Sequence, residues 1–448
     1  LEAENVETPA QISGLDQLYP AHLATLMERA DRALAASRCD ALVIGAGELK
    51  YRYLDDSTEH FVANPQFRAW VPVTDAPGSY VIYVPGKKPT LLFHQPEDYW
   101  HKPPSLPTEA WTRALDIQII LSPEDVSTHI PARAAYLGEE FTRAAGCSFI
   151  MQNTPSIVDP LHYARAVKTP YEIACMRLAS TIGARAHVAA EHAYRAGASE
   201  YAIHLAYLAA SGLREMELPY SNIIALNEGG AILHYTTLER VAPLVSRSLL
   251  IDAGGQYRGY GSDITRSYAS ESGRYLDLLT QLDQAQQTLC RMVMPGVSYP
   301  DIHHAAHRLI AQILLETGII HGSVDAAVAS GLTSVFFPHG IGHLLGLQVH
   351  DIGGRQASSQ GGTLQPPEGH PYLRLTRRLE AGVVVTIEPG IYFIDLLLKK
   401  ALADSRGKSI CWDVVEALRP FGGARIEDNV VTTLDEPENL TRNAFAAL

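Results

Sequence analysis

The spacing of apolar positions changes several times along the chain, and each change marks an element. Leu23, Leu26, Met27, Ala30 and Leu34 recur at three- and four-residue intervals, which predicts an amphipathic helix over 21–37. Ala41, Leu42, Val43 and Ile44 form an unbroken apolar run closed by Gly45, the pattern of a buried strand. Residues 79–84 (SYVIYV) and 90–93 (TLLF) flank Pro85-Gly86-Lys87-Lys88-Pro89 and predict a hairpin. Residues 117–121 and 134–137 add two strands, so the first half reads as α/β. Trp70 and Trp100 stand in Pro-bearing, polar contexts that read as loops, where local packing is the plainer role.

Thr169-Pro170-Tyr171-Glu172 is a helix start: Thr169 caps, Pro170 suits the first helical position and Glu172 completes a capping box. The helix is expected to run to about Ala196, closed by Gly197. A boundary in the polar stretch 164–168 gives an N-terminal domain over 1–166 and a second domain over 167–448. Gly197-Ala198-Ser199, followed by Ile203-His204, recurs as Gly296-Val297-Ser298, followed by Ile302-His303. Both copies sit between two predicted helices, ending at Gly212 and Gly318, which points to a duplicated half-domain with a shared cleft.

Composition narrows the partners. The chain has 448 residues, 46% hydrophobic and 19% charged, which is ordinary for a folded globular protein. A net charge of −13 disfavours nucleic acid or an anionic membrane as partner. Cys39, Cys147, Cys175, Cys290 and Cys411 are odd in number and widely spaced, which reads as reduced thiols. The acidic first residues lack the pattern of a signal peptide, and no apolar run reaches the roughly 18 residues of a membrane span, so the cytoplasm is the expected compartment.

Candidate chemistry lies in four segments. Residues 249–255 (LLIDAGG) end a strand in a glycine turn and lead into 257–266 (YRGYGSDITR). With the turn centred between Tyr257 and Arg258, Asp252 and Asp263 stand directly opposite and share a face. Two like charges there repel unless a cation sits between them; the plainer alternative is a pair of surface aspartates. Residues 336–343 (FFPHGIGH) and 348–350 (QVH) place His339, His343 and His350 in a glycine-rich, otherwise apolar stretch. Residues 382–388 (GVVVTIE) form a buried strand ending in Glu388, a carboxylate that is costly to bury unpaired. Alternation over 425–431 (RIEDNVV) puts Arg425, Glu427 and Asn429 on one face. Salt bridges would also explain these last two acids. Jointly, four carboxylates balance the charge of two divalent cations, and oxygen-rich ligation with one imidazole best suits Mn2+, with Co2+, Fe2+ or Zn2+ as alternatives.

The order Asp, Asp, His, Glu, Glu within IDAGGQYRGYGSDITR, FFPHGIGHLLGLQVHD, VVTIEPGIYF and FGGARIEDNVV resembles the creatinase-like pita-bread metallopeptidases. Within them the chain is similar to the bacterial Xaa-Pro dipeptidase (prolidase) group, which includes organophosphorus acid anhydrolases; NPQFRAWVP, PEDYWHKPP, LPYSNIIALNE, AILHYT and HPYLRLTRRLE share in the resemblance. The resemblance implies an α/β N-terminal domain for oligomerisation and substrate access. It also implies an α+β pita-bread catalytic domain with pseudo-twofold duplication, and a homodimer. It implies that Asp252, Asp263, His343, Glu388 and Glu427 hold two divalent metals, with Asp263 and Glu427 bridging. His339 and His350 would then flank the metals, Glu388 would shuttle a proton, and His234, Tyr220, Arg374 and Arg425 would line the substrate pocket. Arg374 would grip the terminal carboxylate, and Trp100, with Asp55 or Asp56, would close the pocket from a partner subunit. The implied activity is metal-dependent hydrolysis of Xaa-Pro dipeptides by an activated hydroxide. Phosphotriester or P–F hydrolysis and aminopeptidase P activity are the alternatives, followed by a scaffold protein without catalysis.

Overall fold

The structure, a computed structural model, describes residues 9–139 and 151–448. Cys147 and the acidic first residues lie outside the described residues. Among the described residues, Cys39, Cys175, Cys290 and Cys411 are not in disulfides. Two units are defined: Glu7–Cys175 with Gln356–Gly362, and Met176–Arg355 with Thr363–Leu448.

In the first unit, helix α1 spans Pro9–Ser37, with Pro20 inside it, so it starts well before the predicted position. Strand β1 is Ala41–Gly45 and helix α2 is Pro65–Trp70. Strands β2 (Tyr80–Tyr83) and β3 (Thr90–His94) pair antiparallel, Tyr80 opposite Leu92, forming the predicted hairpin. With β4 (Asp116–Ile120), β5 (Ala134–Leu137) and β6 (Met151–Gln152) they build one sheet, ordered β4-β3-β2-β1-β5-β6. Every β1 residue is buried, which is why its sequence is uniformly apolar rather than alternating. Helix α3 (Pro155–Arg165) follows. Trp70 corrects the loop reading. Asn64 accepts a hydrogen bond from the Gln66 amide at 3.0 Å and Pro65 takes the first turn, so the Asn-Pro pair is a helix start. The Trp70 ring is buried 5.4 Å from Tyr83. Trp100 does lie in a loop and is 76% exposed.

Helix α4 (Pro170–Arg195) opens with the capping box read from sequence: the Thr169 amide donates to Glu172 Oε2 at 2.8 Å and the Glu172 amide donates to Thr169 Oγ1 at 3.4 Å. Helix α5 (Glu200–Ser211) is capped by Ser199 and closed by Gly212. Strands β7 (Ile223–Leu226), β8 (Ser248–Asp252) and β11 (Thr265–Ala269) form an antiparallel sheet, with β9 (Gln256–Tyr257) and β10 (Tyr260–Gly261) extending the β8–β11 hairpin. Helices α6 (Arg274–Cys290) and α7 (Tyr299–Glu316) begin the second repeat. A small hairpin, β12 (Gln356–Ser358) and β13 (Gly361–Thr363), intervenes. Strands β14 (Val384–Ile387), β17 (Asp428–Val431) and β18 (Glu438–Asn439) make the second three-stranded sheet, and β15 (Gly390–Tyr392) pairs with β16 (Gly423–Arg425). A helix pair followed by a three-stranded antiparallel sheet thus occurs twice.

Packing dictates which way Asp252 points. Ala186, Ala190 and Tyr194 recur every four residues on α4 and pack with Ile203 and Tyr207 of α5 against Ile224, Leu226, Leu249, Ile251 and Ala253. Alternation then sends Ile223, Leu250 and Asp252 to the opposite face, where Ile223 and Leu250 cluster with Tyr392. Asp252 is therefore aimed away from the helices by the same period that buries its neighbours.

The hairpin register differs from the expected one. Tyr257 pairs with Tyr260, and Asp252 pairs with Thr265, not with Asp263. The turn is centred between Arg258 and Gly259, which adopt φ of 49° and 87°. Two successive positive φ values match the tight twisted turn that hairpins favour, and Gly259 supplies the second at no steric cost. Asp263 lies two positions from Thr265, so the two aspartates are diagonal neighbours on one face.

His187, on α4, is fully buried, with Nε2 2.9 Å from the Ala253 carbonyl oxygen, and burial pushes its imidazole down to about 3. The unfolded chain takes up this proton near pH 6.5 and the folded chain only near pH 3, so stability falls as pH drops through that window. His187→Gln keeps a donor but cannot titrate. Denaturant unfolding at pH 7.5 and 4.5 should show the variant losing roughly 2–3 kcal/mol less on acidification than the parent. Equal losses would contradict the assignment.

Candidate metal centre

Five acid and imidazole side chains separated in sequence converge in the second unit. Tyr220 links the two aspartates: its hydroxyl lies 2.8 Å from Asp252 Oδ1 and 2.6 Å from Asp263 Oδ1. Glu427 reaches the same place because its amide donates to the Thr265 carbonyl at 3.0 Å, which joins the two sheets. Thr265 Oγ1 donates to Glu427 Oε2 at 2.8 Å. Asn429 holds Asp263 from behind, accepting from its amide at 3.0 Å and donating to its carbonyl. Arg425, Glu427 and Asn429 thus all face the aspartates, as alternation predicts, while Asp428 turns away to Arg266 and Arg442, each at 2.8 Å.

His343 is set by its backbone. Its amide donates to Thr386 Oγ1 at 3.1 Å, its carbonyl accepts from the Thr386 amide at 3.0 Å, and the Glu388 amide donates to the Ile341 carbonyl at 2.9 Å. Gly342 has φ 151°, and a Cβ there would collide with the Thr386 carbonyl and the Tyr299 hydroxyl. That close approach brings His343 beside the end of β14, where Glu388 begins. His343 Nδ1 donates to the Leu344 carbonyl at 2.9 Å, leaving Nε2 3.3 Å from Asp263 Oδ2 and 3.8 Å from Glu388 Oε1. Ligand atoms of Asp263, His343 and Glu427 all lie within 4.8 Å of one another.

Electrostatics test whether this group suits cations. Burial raises the carboxyl pKa of Asp252, pushes that of Glu388 up to about 7, and holds Glu427 well above the usual range. Burial also opposes ionisation of Asp263, but the His343 hydrogen bond and charge outweigh it and hold Asp263 low. Burial would lower His343, and Asp263 outweighs it in the other direction. Three buried carboxylates and the partly buried Glu388 thus face one guanidinium, Arg425, and one imidazole. Oxygen donors whose ionisation burial opposes, beside an imidazole whose Nε2 points at Asp263, fit divalent cations.

The remaining expected residues take varied places. Arg425 is buried and engaged, with Nη2 2.6 Å from Asp252 Oδ2, Nη1 2.8 Å from the Tyr392 hydroxyl and Nε 3.1 Å from Thr265 Oγ1. His339 bonds the Gly340 carbonyl at 2.8 Å and the Tyr392 hydroxyl at 2.9 Å, and its Nδ1 lies 3.5 Å from Glu388 Oε2. Burial pushes His339 down to about 3. The His350 ring is 4.4 Å from that of His343, and burial pushes His350 down to about 4. Arg374 and His234 are exposed, and both contribute to that lowering of His350. Trp100, Asp55 and Asp56 belong to the first unit; Trp100 rests on Tyr99 at 4.9 Å, and Ser57 Oγ donates to Asp55 at 2.7 Å. Thr265 and Tyr392 were not anticipated. Both stand two or four residues beyond a recognised acid, Asp263 or Glu388, so extending the alternation would have found them.

Residues 174–434 match the model of metallopeptidase family M24, and residues 17–163 match the Xaa-Pro dipeptidase N-terminal domain. The Xaa-Pro dipeptidase of Xanthomonas campestris pv. campestris (strain B100) is 51% identical over 97% of this chain and 99% of its own length. That of Stenotrophomonas maltophilia (strain R551-3) is 49% identical over 96% and 98%. Zn-substituted Escherichia coli aminopeptidase P in complex with product superposes with a TM-score of 0.72 at 23% identity, covering 96% and 95% of the chains. Pseudomonas aeruginosa aminopeptidase PepP gives 0.69 at 22% identity, covering 94% and 98%, and both share the fold. The chain belongs to metallopeptidase family M24 and, within it, to the Xaa-Pro dipeptidase group. The duplicated helix-pair and sheet unit is its pita-bread catalytic domain, preceded by the α/β domain expected from sequence.

Proposed function

We propose that this chain hydrolyses Xaa-Pro dipeptides in a metal-dependent reaction, with Asp252, Asp263, His343, Glu388 and Glu427 holding two divalent cations. The observation that carries this reading is the convergence of three buried carboxylates, the partly buried Glu388 and an imidazole, with too little positive charge to balance them. Mn2+ is the preferred ion, because the donor set is mostly oxygen. Bound cations of this kind supply a hydroxide nucleophile at neutral pH and polarise the carbonyl under attack.

The chain's own residues do the rest. Glu388 has 18% of its side chain accessible, against 7% for Asp263, so it is more open to a substrate. It accepts the proton of the attacking water and delivers it to the departing proline nitrogen as the C–N bond breaks. Tyr220, Arg425 and Thr265 are positioning residues that hold Asp252, Asp263 and Glu427 in place. His339 and His350, both kept neutral by burial, flank the reacting carbonyl. Proline's nitrogen has no N–H, so a pocket shaped to its ring, with His234 at its rim, selects this bond.

Arg374 is the candidate for the substrate's terminal carboxylate: it is exposed, and its charge reaches His350. Amidating Leu-Pro should lower kcat/KM by roughly 100-fold or more, and Arg374→Ala should lose a similar factor on the acid but little on the amide. Undiminished cleavage of amides or tripeptides would favour aminopeptidase P activity, and a higher specificity constant for a fluorophosphate would favour organophosphate hydrolysis.

The N-terminal part, residues 1–166, is assigned to oligomerisation and substrate access in a cytoplasmic homodimer. Support comes from Tyr99 and Trp100, 87% and 76% exposed, tilted against each other in a loop that gives them no core to join. On this reading Trp100 closes the partner's pocket. Among the described residues no helix is long and apolar enough to cross a membrane. Sedimentation showing a monomer at working concentrations would remove the dimer assignment.

A further inference from the structure

A second cluster of ring nitrogens lies outside the carboxylate cage. His303 and His307 stand four residues apart on α7, so they share one face of that helix. Each is only 1% exposed. His370, in the segment preceding Leu373, brings a third imidazole. The three rings have centroids 4.5 to 4.7 Å apart, and one ligand nitrogen from each lies within 4.8 Å of the others.

Their hydrogen bonding is incomplete. His307 Nδ1 meets Thr333 Oγ1 at 2.8 Å, while its Nε2 has no partner. His303 Nε2 and His370 Nδ1 face each other at 2.9 Å, and His303 Nδ1 also has no partner. Buried ring nitrogens normally find partners, and an orphan needs an explanation. Three imidazoles with one nitrogen each within 4.8 Å of the others, one of them held on its other nitrogen by a hydroxyl, have the form of a metal-ligand set with an outer hydrogen bond.

We propose that His303, His307 and His370 form a second divalent-cation site, nitrogen-only and suited to Zn2+, that ties the segment before Leu373 to helix α7. The group contains no carboxylate. Imidazoles alone suit Zn2+ far better than Mn2+, and three of them leave a fourth position for water. The two sites would therefore sort cations by donor type. They are separate but close: the Phe337 ring lies 5.0 Å from His307 and 4.8 Å from His339. The tied segment also reaches the loop that carries His339 and His343, since a Cβ on Gly340 would sit 3.1 Å from the Tyr372 carbonyl oxygen. Burial keeps His303 and His307 neutral, which leaves their lone pairs available at neutral pH.

The test uses the full chain with its carboxylate cage saturated by Mn2+. Zinc alone is added, and both metals are counted after equilibrium dialysis. About one further zinc per chain should bind without loss of manganese. His370→Ala, a change at a half-buried position, should abolish that uptake. Thr333→Val, which keeps all three imidazoles but removes the outer hydrogen bond, should weaken it roughly 10- to 100-fold. Zinc uptake matched by manganese loss, no uptake at all, or uptake unchanged in both variants would overturn the proposal. The outcome is independent of whether the cage hydrolyses Xaa-Pro dipeptides.

Discussion

Replacing Glu388 with Gln is expected to lower kcat for Leu-Pro by roughly 100- to 10,000-fold, the usual range for loss of a general acid–base group. Gln fits the same space and can still hydrogen-bond, but it cannot take a proton and return it. The assignment rests on where Glu388 stands: at the end of β14, 3.8 Å from His343 Nε2 and 3.5 Å from His339 Nδ1, and more accessible than Asp263. The metal-free variant should also unfold at a higher temperature than the parent. Burial and the neighbouring acids disfavour the Glu388 carboxylate, and a neutral amide relieves both. Lower activity with equal or higher stability separates a catalytic loss from misfolding, a combination typical of functional sites. Near-normal turnover in the folded variant would remove the proton-shuttle role.

Stripping divalent cations should have the second large effect. Turnover on Xaa-Pro dipeptides should fall to background, and the melting temperature should drop. The fold without cations holds Asp252, Glu388 and Glu427 where burial works against their charge. A cation present at about 1,000 times its dissociation constant contributes about 4 kcal/mol to the folded state. Adding Mn2+ back should restore turnover and melting temperature together, with Co2+, Fe2+ and Zn2+ compared in parallel. Protein that is free of all four ions and fully active would contradict the cage assignment. Recovery of stability without activity would point instead to a structural role.

Much of the architecture is visible locally. The β2–β3 hairpin and the start of α4 were legible because their signals are adjacent in the chain. Turn residues stand between two apolar runs, and Thr169 and Glu172 cap within one turn. The Asn64-Pro65 start of α2 was equally local and was missed because Pro was read as a loop marker. The β8–β11 turn was harder. Gly254, Gly255, Gly259 and Gly261 all offer turn chemistry, and only the paired backbone shows that Arg258 and Gly259 take the left-handed positions. A one-residue shift in that turn changes Asp263 from the opposite partner of Asp252 to its diagonal neighbour.

What the amino-acid order determined by itself was many of the elements, the duplication and the identity of the acids and histidines, since periodicity, caps and motifs are short-range. Tertiary structure alone decided how those residues meet. Arg425 reaches Asp252 across 173 residues and Thr265 reaches Glu427 across 162, and no period or spacing encodes such pairings. It also decided that Arg425 and Tyr220 are spent on the carboxylates, and that His370 joins His303 and His307. These contacts arise only when two sheets share a seam and a distant segment folds back onto a helix, because long-range packing, not local preference, sets the distance between side chains far apart in the chain.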